Sequence, residues 1–257
     1  MSQYYFISGL PRSGTTLLST ILNQNPKFQA SISGPVARFS RAIIDQSSAM
    51  TGYQTECPTE KRKNIIHGIF DNYFDTPDKN VFFDTNRSWG LQLSLLKDLF
   101  PYTKVIMCVR DINWVLDSFE QLHRRDPYSK ALLIPDDQAA TVYSRCNYLM
   151  QESSVVGFAY LSLKQALTSH EKDMLMFVEY EQLCKNPRGM LTAIYNFIDQ
   201  PLYEHDFNNT ACSYPEYDSD VGIEDMHTTR KKVEWVEREM IIPPDIQHQF
   251  SNMEVWR

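Results

Sequence analysis

The chain has 257 residues, 42% of them apolar, with 25 Lys and Arg against 32 Asp and Glu for a net charge of −7. That length and apolar content fit one large domain with its own core, expected to span residues 1–257. The acidic balance excludes broad electrostatic binding to nucleic acid or to an anionic membrane, although a local basic pocket for a small anion stays open.

Five scattered cysteines, with no Cys-x-x-Cys pair, suggest neither a zinc site nor a disulfide framework. They fit a reducing, cytoplasmic setting. The chain opens without a basic, apolar leader, and no run approaches the roughly 18 apolar residues of a membrane span.

Taken in order, the predicted elements alternate strand and helix. Gln3–Ser8 reads as a strand, followed by a Gly/Pro/Ser loop and a helix over Thr15–Asn23. Further strands are expected at Phe28–Ser31, Asn80–Asp84, Lys104–Val109 and Met174–Val178. Short continuous apolar runs suit strands buried on both faces, and intervening helices make βαβ units. The expected fold class is therefore α/β, a P-loop-type three-layer fold with a central parallel sheet of about five strands flanked by helices. One long helix is expected over Asp137–Ser169, because Val142, Cys146, Leu149, Ser153, Val156, Tyr160, Leu163 and Leu167 recur at alternating steps of four and three. A fresh helix should start after Asn186-Pro187, and the polar stretch Leu202–Asp225 reads as a long excursion.

The first chemical signal is Gly9-Leu10-Pro11-Arg12-Ser13-Gly14-Thr15-Thr16, set between strand and helix. Two glycines spaced this way let the backbone wrap an anion, and the helix start supplies free N–H groups and hydroxyls. A nucleotide-triphosphatase loop would carry lysine where Thr15 stands, so the cation here is Arg12. The second signal is Val109-Arg110-Asp111, a buried strand ending in an arginine where open α/β sheets bind ligands, with Ser118 on the following helix. A guanidinium fork suits a bidentate grip on phosphate.

Together these stretches resemble the sulfotransferases that use 3′-phosphoadenylyl sulfate (PAPS). The first loop is similar to the family's 5′-phosphosulfate loop, in the arginine form of tyrosylprotein and many bacterial members. Arg110 and Ser118 resemble its 3′-phosphate motif. Phe83-Asp84-Thr85-Asn86-Arg87-Ser88-Trp89, Leu99-Phe100-Pro101, Val178-Glu179-Tyr180-Glu181-Gln182-Leu183 and His227-Thr228-Thr229-Arg230-Lys231-Lys232 follow in family order. The resemblance implies that Arg12, Ser13, Gly14, Thr15 and Thr16 hold the 5′-phosphate and the sulfuryl group. It implies that Arg110 and Ser118 hold the 3′-phosphate, that Tyr180 contacts the nucleotide, and that Arg230 with Lys231 or Lys232 covers it. No metal is implied.

The acceptor would be a hydroxyl or amine on a small molecule, glycan or peptide, met by stretches around Ser33–Gln54, Ile65–Phe74 and Leu202–Asp225. The tyrosylprotein members' catalytic glutamate falls near Ser33-Gly34-Pro35, which has no carboxylate, and their lysine near the third strand falls on Thr85. This argues against tyrosine-peptide sulfation and leaves Asp84, at a strand end, as the expected base, with Arg12 as its catalytic partner. A small-molecule kinase is the rival reaction class, which Thr15 opposes. A nucleotide-binding module without catalysis is the other.

Overall fold

The computed structural model describes residues 2–48, 52–125 and 133–257. Five strands, β1 (Gln3–Gly9), β2 (Phe28–Ala30), β3 (Val81–Thr85), β4 (Val105–Val109) and β5 (Leu175–Glu179), pair in parallel in the order β2-β3-β1-β4-β5. Each expected strand is present. The sheet is parallel because every strand is followed by a crossover long enough to hold helix. Alternate side chains of β1 then serve two cores, Tyr4 and Phe6 on one face and Tyr5 and Ile7 on the other.

Helices cover both faces. On the Tyr5/Ile7 side lie α1 (Thr15–Leu22), α8 (Tyr180–Lys185) and α9 (Pro187–Phe197). Proline opens α9, and the Asn186 side chain accepts the Gly189 N–H, as the sequence suggests. On the other face lie α2 (Val36–Gln46), α3 (Thr59–Tyr73), α4 (Leu93–Leu99), α5 (Ile112–Arg125), α6 (Val142–Leu149) and α7 (Val155–Leu167). The chain ends with α10 (Pro215–Val221) and α11 (Pro244–Gln249).

The expected single helix over Asp137–Ser169 is instead two, α6 and α7, broken at Met150–Ser154. Thr141 and Ser144 form a capping box at the start of α6, and Ser154, in extended backbone, stands at the N-cap position of α7 without a side-chain hydrogen bond. The break folds tightly: a Cβ on Gly157 would stand 2.1 Å from the Gln151 carbonyl oxygen. The apolar phase runs through because Cys146 and Leu149 pack into the same core as Val156 and Leu163. Periodicity reports the buried face and is blind to a turn that preserves it.

Crossovers leave β1 toward β2 and β3 on one side, then cross to β4 and β5 on the other. The order of connection therefore reverses between β1 and β4, and the loops after those two strands splay apart over a crevice.

Candidate active site

Four neighbouring strands release residues into that crevice from their C-terminal ends. Arg87 follows β3, Arg12 follows β1, Arg110 follows β4 and Tyr180 follows β5. They line one cavity of about 1470 Å³.

The loop after β1 is fixed from beneath. The Ser13 hydroxyl donates to the Leu10 and Cys108 carbonyls at 2.5 and 3.0 Å and is fully buried. The Ser13 side chain thus braces the loop and leaves the backbone N–H for an anion. Arg12 takes a left-handed backbone (φ 58), a conformation costly without glycine and held here by the surrounding contacts. Gly14 has φ 88, and a Cβ there would lie 2.6 Å from the Tyr180 ring. Thr15 and Thr16 begin α1 and line the cavity.

Arg12 ties the two motifs together. Its Nε donates to the Ser118 hydroxyl at 3.0 Å, its Nη1 donates to the Met226 carbonyl, and the Arg12 carbonyl accepts from Arg110 Nη1 at 3.1 Å. Arg110 lies over the Tyr180 ring, 4.5 Å from the centroid, with Trp114 and Trp235 further off. Its Nε is buried with no hydrogen-bond partner. Among the described residues neither Arg12, Arg87 nor Arg110 forms an ion pair, although all three are deeply set. Burial pulls each guanidinium below its ordinary value, Arg12 to about 10 with help from the Arg110 charge beside it. Three half-buried cations remain charged at neutral pH, line the cavity and have no anions of their own among the described residues.

Asp84 departs from its expected place. It is buried at 1% exposure and does not line the cavity. Its Oδ2 accepts from Trp89 Nε1 at 2.8 Å, and its Oδ1 has no partner. A Cβ on Gly34 would come within 1.9 Å of Oδ1, so the Gly34 backbone lies directly on the carboxylate and screens it from the cavity. No ion pair with Arg87 forms among the described residues. Burial, against the Trp89 hydrogen bond and the nearby Ser31 hydroxyl, pushes the carboxyl up to about 6. The folded state then holds the proton more tightly than the unfolded one. Stability is therefore lost as pH rises from the ordinary carboxylate range through 6, and the penalty is complete above it. Asp84→Asn is expected to remove that slope in urea unfolding at pH 4.5 and 7, a gain of up to about 3 kcal/mol at the higher pH. The variant should also keep its turnover; an inactive Asp84→Asn would return Asp84 to the chemistry.

The late basic segment also divides. Arg230 and Lys232 line the cavity, whereas Lys231 does not. Instead the Lys231 carbonyl accepts the Thr210 N–H at 2.8 Å, beside an isolated bridge between Cys212 and Thr229. The rest of the cavity wall includes residues 32–35, 37, 38, 41, 42 and 45 with Leu91, Val155, Phe158 and Tyr217. The expected stretch Ile65–Phe74 lies in α3 and packs into the core, with His67 edge-on to Phe100. Residues 49–51 of the Ser33–Gln54 stretch lie outside the described residues.

A pair that the sequence reading did not assemble lies beside Arg12. His227 lines the cavity, and its Nδ1 sits 2.6 Å from Asp218 Oδ1. The His227 backbone N–H donates to the same carboxylate at 3.1 and 3.3 Å, and Tyr217 meets the imidazole edge-on. Burial, with Arg12 and Arg87 adding to it, lowers the imidazole below its ordinary value against the opposing pull of Asp218. The two residues are nine apart in an aperiodic stretch, a signal too weak to read from sequence.

Residues 5–205 match the model of the sulfotransferase family. Protein-tyrosine sulfotransferase 1 of Danio rerio is 24% identical over 211 residues, 76% of this chain and 53% of that protein. The chain thus spans about half the length of that relative. The sulfotransferase domain from the curacin biosynthetic pathway superposes with a TM-score of 0.58 at 14% identity, covering 97% of this chain and 96% of that one. Retinol dehydratase in complex with androsterone and inactive cofactor PAP superposes at 0.53 and 15% identity, covering 97% and 79%. No helix among the described residues is long and apolar enough to cross a membrane. With the family model matching most of its length and the sheet, loop and arginines arranged as above, the chain belongs to the sulfotransferase family.

Proposed function

We propose that the chain is a PAPS-dependent sulfotransferase moving a sulfuryl group to a hydroxyl or amine and leaving 3′-phosphoadenosine 5′-phosphate (PAP). The observation that carries the reading is the set of half-buried guanidiniums of Arg12, Arg87 and Arg110 lining one cavity, which have no anionic partners among the described residues. Two of them flank a helix N-terminus at the switch point of a parallel sheet. Such a donor set fits an anion with two separated charged ends. Arg110, with Ser118, Arg230 and Lys232, would hold the 3′-phosphate. Arg12, the backbone N–H groups of the loop through Gly14, and Thr15 and Thr16 would hold the 5′-phosphosulfate. Tyr180 fits a place between them, against Arg110 and Gly14.

PAPS, when bound, supplies a sulfuryl group attached to a phosphate that leaves readily. Arg12 and the loop N–H donors are preorganised for the negative charge that develops on the leaving oxygen, so they bind the transition state better than the ground state. Charge neutralisation by fixed guanidiniums requires no resident metal, and no group of three His, Cys, Asp or Glu side chains placed to hold one occurs among the described residues. Thr15 at the lysine position, and Asp84 screened by Gly34, weigh against a magnesium-dependent kinase.

The animal relative's name supports a peptide or protein acceptor over a glycan or small molecule. The missing carboxylate at Ser33-Gly34-Pro35 argues that the acceptor is activated differently from a tyrosyl peptide there. The five free cysteines, three of them buried, support a cytoplasmic setting. The test is chromatographic detection of PAP formed from PAPS in the presence of phenols, alcohols, amines and a tyrosine-containing peptide pool. Acceptor-dependent PAP formation is expected. PAP binding without any transfer would mark a non-catalytic module.

A further inference from the structure

We propose that His227, positioned by Asp218, is the general base that takes the acceptor's proton. The inference rests on the sulfotransferase reading and assigns the role that Asp84 cannot fill from behind Gly34.

Geometry fixes which nitrogen is available. Asp218 is 3% exposed, and one of its oxygens stands 2.6 Å from Nδ1 while the carboxylate also accepts the His227 backbone N–H. Nδ1 therefore carries the proton and donates it to the carboxylate, leaving Nε2 with a free lone pair. Nε2 has no hydrogen-bond partner among the described residues, and the side chain lines the cavity. The preceding residue is fastened to the phosphate loop, because Arg12 donates to the Met226 carbonyl. The imidazole is thereby set next to the guanidinium that would hold the sulfuryl group.

The groups facing His227 are Asp218 and Tyr217 from α10, Arg12 from the β1 loop and Arg87 from the segment after β3. Burial, with the two cations adding to it, keeps the imidazole neutral and ready to accept a proton at neutral pH. Asp218 pulls the other way and stabilises the imidazolium once formed. In the transfer, the acceptor oxygen forms a bond to sulfur as the bond from sulfur to the 5′-phosphate oxygen breaks, and that oxygen keeps the electron pair. The acceptor's O–H proton passes to His227 Nε2 and from there to solvent, so atoms and charge balance without a further reactant.

The test has two arms, both on the full chain. In the first, ¹⁵N NMR of the imidazoles, with His227 assigned by its disappearance in His227→Ala, is expected to show Nδ1 protonated and Nε2 bare at pH 7, and a changed tautomer balance in Asp218→Asn. An Nε2–H tautomer in the unsubstituted protein would overturn the proposal. In the second, transfer from PAPS is measured to phenol and to the far more acidic 4-nitrophenol, beside PAP affinity. His227→Ala is expected to lower turnover with phenol by about 10²- to 10⁴-fold, with a much smaller loss for 4-nitrophenol, much of which is already phenolate near neutral pH. PAP affinity should stay within about threefold. Equal losses for both phenols would reduce His227 to a structural residue and overturn the assignment, as would PAP binding by the unsubstituted protein with transfer to neither. Absence of PAP binding in the unsubstituted protein would instead overturn the sulfotransferase reading beneath it.

Discussion

Arg110→Ala is expected to weaken PAP binding about a hundredfold, about 3 kcal/mol, while AMP binding moves within about threefold. The difference isolates the 3′-phosphate, because AMP lacks only that group. Arg110 is fitted to it by position and by need. It stands directly beyond β4, is stacked over Tyr180 at 4.5 Å, and carries a buried Nε with no partner. One of its other nitrogens holds the Arg12 carbonyl, a tie to the phosphate loop that the alanine variant also loses. Arg110→Lys separates the two effects: it restores a charge without the planar fork, and an intermediate affinity is expected. Isothermal titration calorimetry on the three proteins reads this directly. An equal loss of PAP and AMP affinity would place Arg110 at the 5′ end or in the scaffold.

Arg12→Ala is expected to lower turnover by about 10²- to 10³-fold, about 3–4 kcal/mol of barrier, with a smaller effect on donor affinity. Arg12 is held among Ser118, Met226 and Arg110, half-buried at the cavity wall, and remains charged although desolvation has pulled it down to about 10. A fixed cation partly withdrawn from water acts on developing charge more strongly than one in bulk solvent. Its left-handed backbone adds a second reason for loss, since the loop geometry depends on contacts that alanine removes. Arg12→Lys, which keeps charge but loses the Ser118 hydrogen bond, should recover part of the rate. Single-turnover kinetics with saturating PAPS measures the step itself. A turnover drop matched by an equal loss of PAPS affinity would make Arg12 a binding residue alone.

The sheet was legible because each strand is a short apolar run and each crossover carries helical pattern. The phosphate loop and Arg110 were legible for a related reason: a strand's C-terminal end is a fixed address in a parallel sheet, so a sequence position converts directly into a place in the crevice. Side-chain direction was not legible. Ser13 lies in the loop as expected, but its hydroxyl turns inward to the Leu10 and Cys108 carbonyls. Asp84 lies in the expected strand, one residue before its end, yet faces Gly34 and Trp89, and a one-residue difference in facing along a strand is decided by packing. Lys231 and Lys232 differ in the same way, only the second reaching the cavity. His227 and Asp218 meet because the chain turns through Gly222 and Asp225, both at positive φ, and no periodicity announces such a turn.

The central claim, a nucleotide site selective for a 3′-phosphate, is tested most directly by calorimetric titration of the unsubstituted protein with PAP beside AMP and ATP with magnesium. The account expects PAP to bind at least about tenfold more tightly than AMP, and more tightly than magnesium-ATP, since each guanidinium–phosphate contact adds a charge-assisted hydrogen bond. Equal affinities, or a preference for magnesium-ATP, would contradict it.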